Sequence, residues 1–421
     1  MSDQDQPRTG ASDGAVVAVS IVVMNVAAYG LTVAAARLMG PSGFGQFSAV
    51  MGILMVLNVL ALGLQATGAR RVAVAGDRAR VESEIWRAAT RGALGLTVVT
   101  LLAAPALKVV LDLDSWLSLV ALAVASGVLT MVGALAGLLQ GEGRWLPLAT
   151  VFVSIGVARF AGGVVALALQ PSTAAAMVGV ALGTLVPLAV AWASLSRRGP
   201  RPAPPSGDLS LHGRGVLTEV AHSTHALLAF FALSNVDIVI ARAVLPDHAA
   251  GLFAGGLIVT KAVTFLPQFV IVLAFPVMAR RGASDRAHVV GLSLVAAIGL
   301  VATVGVVLLP ALAELFIGGA PYAEVTGSLW LFALAGTVLA CIQFLVYSSL
   351  ALEHPRAVYV LWAGVALFTA VGLTADTPTT LVIDRVWTAL ATALVLVVVL
   401  MSGQGAGVSV RRRARSDRRR R

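Results

Sequence analysis

Charge is scarce in this sequence. Of 421 residues only 12% are Asp, Glu, Lys or Arg, whereas 58% are hydrophobic, and the mean hydropathy is +0.91. A water-soluble domain of that composition would expose apolar patches far larger than soluble proteins tolerate, so that class is excluded. Cysteine is limited to Cys341, inside an apolar run, which leaves neither a disulfide framework nor a thiol metal site. Six scattered histidines add no ligand spacing, and no metal or other cofactor is expected. The first fourteen residues, MSDQDQPRTGASDG, lack a basic lead into a short apolar core and a small-residue cleavage site, so no removable signal peptide is expected.

What is present is a succession of apolar runs. A bilayer core about 30 Å thick needs roughly 20 apolar residues per helix. Twelve such runs are predicted, at 14–38, 44–69, 88–110, 116–139, 146–169, 173–196, 215–243, 249–279, 288–317, 323–352, 357–373 and 379–401. They are continuously apolar rather than alternating every second residue, which excludes a barrel, and the expected fold is an all-α polytopic membrane protein.

Basic residues set the orientation. Twenty-four of the 30 fall in alternate loops on one side; Arg37, Lys108, Arg242 and Arg385 lie near the opposite ends, and Arg159 and Lys261 lie inside helices. The positive-inside rule puts both termini in the cytoplasm of a cell whose inner membrane holds the chain. The net charge of +10 is thereby topology signal, and the arginine-rich tail reads as solvated or headgroup-contacting, with no nucleic acid implied.

The stretch SRRGPRPAPPSGDLSLHGRG between the sixth and seventh runs is too polar to insert. The expected organisation is a cytoplasmic tail (1–13), a six-helix half (14–196), a cytoplasmic linker (197–214), a second half (215–401) and a basic cytoplasmic tail (402–421). The halves share a pattern. AARLMGPSGFGQFSA and IARAVLPDHAAGLFAG align Arg37 with Arg242 and Pro41 with Pro246, and one inserted residue aligns Gly45 and Phe47 with Gly251 and Phe253. Six helices per half give both the same orientation, so the repeat predicts a pseudo-twofold axis along the membrane normal and a site between the halves.

Polar residues inside the helices point to the same place. Asn25, Tyr29 and Thr32 form one stripe in the first run, and Lys261, Thr264 and Gln268 form another in the eighth. Asn58 and Gln65 in the second run, Ser234, Asn235 and Asp237 in the seventh, and Gln343 and Tyr347 in the tenth add to them. Turning these stripes away from lipid predicts a shared polar cavity; hydrogen bonding between helices is the competing reading.

Lys261, about twelve residues or ~18 Å into its run, is too deep to snorkel comfortably. It reads as a cation for an anionic head group such as pyrophosphate, or as the ion-pair partner of Asp237. Arg159 has the same two readings, with an ion pair favoured, whereas Arg37, Arg242 and Arg385 are expected to snorkel. Asp237 is alternatively a coupling-ion site. Pro147, Pro187, Pro267, Pro276 and Pro310 fall within predicted helices and invite kinks.

The stretches AARLMGPSGFGQFSAVMGILMVLNVLALGLQATGARR and SNVDIVIARAVLPDHAAGLFAGGLIVTKAVTFLPQFVIVLAFPVMARR resemble the polysaccharide biosynthesis proteins. These are the Wzx-type flippases of the multidrug/oligosaccharidyl-lipid/polysaccharide (MOP) exporter superfamily. The resemblance implies a MATE-like fold of two six-helix bundles, alternating access, and a cationic cavity lined by helices 1, 2, 7 and 8. It implies as cargo an oligosaccharide on a polyprenyl pyrophosphate, moved to the outer leaflet, and as partners the polymerase and glycosyltransferases of the same pathway. The sequence departs from a strongly basic lumen: only Lys261 and Arg159 are cationic at depth.

Three other functions compete. A multidrug or metabolite antiporter on the same fold would favour buried carboxylates and aromatics for a cationic cargo, whereas the charge at depth here leans basic. A membrane enzyme would need acidic or histidine groups gathered on a sizeable external loop, and only Asp112 with Asp114 and Asp376 with Asp384 are grouped, so no catalytic residue is assigned. A membrane scaffold without transport would keep the same hydropathy.

Overall fold

The computed structural model describes residues 11–75, 77–197, 216–267, 285–351 and 356–419. Among these every regular element is helical, and ten segments are long and apolar enough to cross a membrane, as expected of an all-α polytopic membrane protein. The twelve predicted runs become ten for two reasons. The first two runs are covered by one segment, Gly14–Val74, and the eleventh forms a helix too short to qualify, Arg356–Gly372.

That first segment comprises α1 (Ala11–Leu57) and α2 (Val59–Val74). The break predicted after residue 38 is a kink inside α1. Gly40 sits at φ 65° and ψ 179°, a left-handed conformation that a side chain would strain, and Pro41 beside it has no amide hydrogen to give the helix. Helix α3 (Arg78–Val110) begins ten residues before the run predicted at 88. The charged stretch is helical because the Asp77 carboxylate caps it, accepting from the Arg80 amide at 3.1 Å, and because Arg80 and Glu84 pair one turn apart.

Helices α4 (Trp116–Gly141), α5 (Trp145–Leu169), α6 (Thr173–Ser196) and α7 (Val216–Val244) follow the predicted runs closely. Helix α8 is Asp247–Phe265; from residue 268 onward its run, with Gln268 and Pro276, lies outside the described residues. The run predicted at 288–317 is two helices, α9 (Asp285–Leu308) and α10 (Pro310–Ile317), because Leu309 leaves the helical region ahead of Pro310. A 3₁₀ stretch (Ala320–Ser328) leads into α11 (Leu329–Ala351), followed by α12 (Arg356–Gly372) and α13 (Pro378–Arg419). Helix α13 continues beyond the apolar run into the arginine-rich segment that was expected to be a separate tail.

The chain forms two compact units: Met1–Met39 with Gln46–Thr224, and Gly40–Gly45 with His225–Arg421. Within the first, α4 packs against α2, α3 and α6. Gly133, Gly137 and Gly141 recur every four residues on α4 and face the backbone of Ala61, Gln65 and Ala69, which recur likewise on α2. Apolar side chains gain little by leaving lipid for one another, so this close approach of backbones is what holds the two helices together. Leu64, Ile85, Leu135, Leu139, Val151 and Val220 fill the core beside it.

The second unit packs glycine against rings instead. Gly255 on α8 faces Tyr322 and Gly256 faces Phe332, while Phe253 and Phe332 meet edge-on at 5.3 Å between centroids. The Thr260 hydroxyl donates to the Phe332 carbonyl at 2.8 Å. In the same unit a Cβ on Gly45 would lie 3.1 Å from the Gly251 amide nitrogen, so the two glycines that the repeat aligns pack directly on one another. The cores of α11, α12 and α13 close around Leu233, Leu339, Ile342, Leu361 and Leu396.

Candidate functional site

The second unit places charges from three helices together. Asp237 on α7 and Arg385 on α13 each expose 2% of their side chain, and the Arg385 Nε stands 3.6 Å from Asp237 Oδ2. Asp237 Oδ1 also accepts from the Ile238 amide at 2.9 Å. The Arg385 Nη2 donates to the Leu233 carbonyl at 2.7 Å, and the guanidinium carbon lies 5.1 Å from the Phe368 ring centre on α12. Lys261 on α8 donates to Asn235 Oδ1 at 3.2 Å and acts electrostatically on Asp237; Asn235 in turn donates to the Phe231 carbonyl at 2.9 Å. One carboxylate therefore sits among two cations and an amide.

This arrangement corrects one expectation. Arg385, expected to snorkel outward, is among the largest fully buried side chains and is a contact partner of Asp237. The sequence signal was available: an arginine within an apolar run has either an aqueous exit or a carboxylate on a neighbouring helix. Arg242 is likewise buried rather than snorkelled, and pairs with Asp247 across the turn between α7 and α8. Arg37 is exposed.

The remaining residues of the stripes divide between hydrogen bonds that tie helices together and half-buried positions. Thr264 is buried and donates to the carbonyls of Thr260 and Gly336, which ties α8 to α11. Gln65 donates to Gln140 Oε1 at 2.9 Å, joining α2 to α4 beside the glycine contact. Both follow the reading of helix-to-helix hydrogen bonding. Thr32 bonds within its own helix, to the Ala28 carbonyl, while Asn25, Tyr29 and Asn58 are half-buried. Gln268 lies outside the described residues.

Arg159 occupies the stretch of α5 where Gly156, Phe160 and Gly163 lie against Met24, Gly30 and Leu31 of α1. Its Nε is buried without a hydrogen-bond partner, and among the described residues no carboxylate lies within ion-pair distance of its guanidinium. The ion pair favoured for it is thus not formed there. A network missed by sequence reading sits where α2 ends. Arg71 donates through Nε and Nη2 to Glu219 Oε2 at 2.9 and 2.7 Å and through Nη1 to Glu84 at 3.3 Å, and Arg70 also meets Glu219.

A model of the family described as polysaccharide biosynthesis protein matches residues 11–281. No curated protein matches the chain. Among solved structures, the lipid II flippase MurJ in an inward closed conformation aligns with a TM-score of 0.71 at 11% identity, over 92% of this chain and 87% of that one. An inward-facing multidrug resistance MATE family transporter of the MOP superfamily aligns with a TM-score of 0.70 at 13% identity, over 91% and 95%. The MATE multidrug transporter DinF-BH gives 0.63 at 15%, over 91% and 94%. At these identities the likeness is one of fold.

Proposed function

Since the chain belongs to the polysaccharide biosynthesis protein family, we propose that it is a flippase of the MOP superfamily carrying an oligosaccharide on a polyprenyl pyrophosphate. It moves this cargo by alternating access from the cytoplasmic to the outer leaflet of the inner membrane, with both termini cytoplasmic. Glycosyltransferases that build the lipid-linked sugar on the inside, and a polymerase that consumes it outside, are the partners this direction requires.

The observation that supports an anionic cargo is the balance of charge held within the helices. Among the described residues, Asp237 is the buried carboxylate, set against the cations Arg159, Lys261 and Arg385, and Arg159 has no acid at ion-pair distance. Unbalanced cations at that depth are unfavourable unless they meet water or an anion, and a pyrophosphate supplies the anion. Lys261 in the second unit is assigned to it, and Arg159 in the first unit is assigned separately as a cation of the path. Asn25, Tyr29, Asn58, Asn235 and Gln268 offer hydrogen bonds to sugar hydroxyls, and Arg37 and Arg242 are the outer cations of the path. An antiporter is the second reading, favoured by the likeness to multidrug transporters; a cationic drug would meet the wrong sign of charge here.

The test is head-group accessibility of a fluorescent undecaprenyl-pyrophosphate-linked sugar in proteoliposomes. Exchange between leaflets is expected to be faster than in empty vesicles and to slow at least about tenfold in Lys261→Ala, the loss of one charge-assisted contact. Exchange no faster than in empty vesicles across several glycans would favour the antiporter.

A further inference from the structure

A carboxylate buried beside a cation needed for an anionic ligand is a competitor: it draws that cation's charge to itself. Asp237 and Lys261 stand in this relation on neighbouring helices of the second unit, because Lys261 bonds Asn235, two residues before Asp237, and acts electrostatically on the carboxylate. Arg385 changes the count. Its guanidinium reaches Asp237 from α13, is fixed there by the Leu233 carbonyl and the face of Phe368, and is as buried as the carboxylate it meets. Among the described residues, the cluster with Arg385 carries two positive charges and one negative, an excess of one; without it the excess is zero.

We propose that Arg385 is a positioning residue whose role is to keep this cluster one positive charge in excess, so that Lys261 can meet an anionic head group without Asp237 cancelling it. This rests on the flippase reading, which supplies the anion, and it assigns Arg385 no contact with cargo. It also gives Asp237 a role other than binding a coupling ion, since its charge is already matched by a side chain that cannot leave. Guanidinium stays protonated even when buried, so the match holds across the physiological pH range.

The experiment uses three variants in the full chain. The sequence contains two lysines, Lys108 and Lys261; a Lys108→Arg background leaves Lys261 the sole lysine, so nitrogen-labelled lysine reports its titration by NMR while the same protein is assayed in proteoliposomes. Arg385→Gln removes the excess charge and is expected to slow exchange of the pyrophosphate-linked sugar about tenfold, with Lys261 intact. Arg385→Lys keeps the count and is expected to rescue that loss. Asp237→Asn combined with Arg385→Gln returns the excess to one and is expected to recover most of the rate, with the Lys261 titration moving back towards that of the parent.

A purely structural pair predicts otherwise. The double variant would then be as slow as Arg385→Gln, and Lys261 would titrate alike in all the proteins; either result overturns the proposal. Thermal melting separates unfolding from a change of rate, and a single variant that fails to fold leaves the comparison between parent and double variant to decide. Should the parent itself exchange lipid no faster than empty vesicles, the flippase reading fails. The Lys261 titration then stands alone: a shift in Arg385→Gln that reverses in the double variant upholds the charge count, and no shift overturns it.

Discussion

The two units solve the problem of polarity in a membrane differently. In the first, ion pairs gather where helices end: Arg71 holds Glu219 and Glu84 together, and Arg80 pairs with Glu84 on the first turns of α3. Its helices meet backbone to backbone along the glycines of α4. In the second, the ion pair of Asp237 and Arg385 lies between helices, with both side chains almost wholly buried, and the glycines of α8 meet aromatic rings. In the end network Arg71 is buried, but the carboxylates of Glu219 and Glu84 stay partly exposed, so water is an alternative partner for them. A pair in the interior has no such alternative, and removing one member leaves the other charge stranded.

The largest test of this contrast is Asp237→Leu, which strands both cations. It is expected to cost about 3–5 kcal/mol, read by reversible unfolding in mixed micelles, whereas removing Asp237 and Arg385 together should cost far less. Equal losses would mean that the interior pair is no more coupled than the end network. Next comes Gly137→Leu in the first unit, which drives a branched side chain into the α2 backbone at Gln65 and is expected to cost about 1–3 kcal/mol or prevent insertion. A melting temperature equal to that of the parent would show that α2 and α4 have room the glycine stripe does not suggest. The smallest is Thr264→Val, which removes the bond from α8 to the Gly336 carbonyl and is expected to cost about 0.6 kcal/mol, in line with hydrogen bonds between helices in membranes. A loss as large as that of Gly137→Leu would make hydrogen bonds, rather than ring packing, the main tie between α8 and α11.

Most helices were legible because a bilayer imposes a length on apolar runs, and the kink at Gly40 falls in the gap between the first two predicted runs. The start of α3 was hidden by its charge: Arg78, Arg80, Glu82, Glu84 and Arg87 interrupt the apolar pattern of Val81 and Ile85, and the cap at Asp77 with the Arg80–Glu84 pair carries the helix through them. Asp237, Lys261 and Asn235 could be picked out one by one, since each is conspicuous in an apolar run. Arg385 was as conspicuous, but its pairing with Asp237 was not, because it lies far along the chain on α13 and no periodicity relates two helices so distant in sequence. Gln140, which meets Gln65, was passed over for the same reason.

The first nine residues of α7, Val216–Thr224, belong with the first unit, where Val220 and Thr224 lie against Gly63 and Glu219 holds Arg71. The polar stretch before α7 looks like a natural place to cut the gene, but it is not where the packing divides. A first half truncated there would lose the residues that cover Gly63 and leave Arg71 without Glu219. Swapping halves between homologues at that point would exchange incomplete parts, and a chimera designed with its junction after Thr224 should be the better expressed of the two.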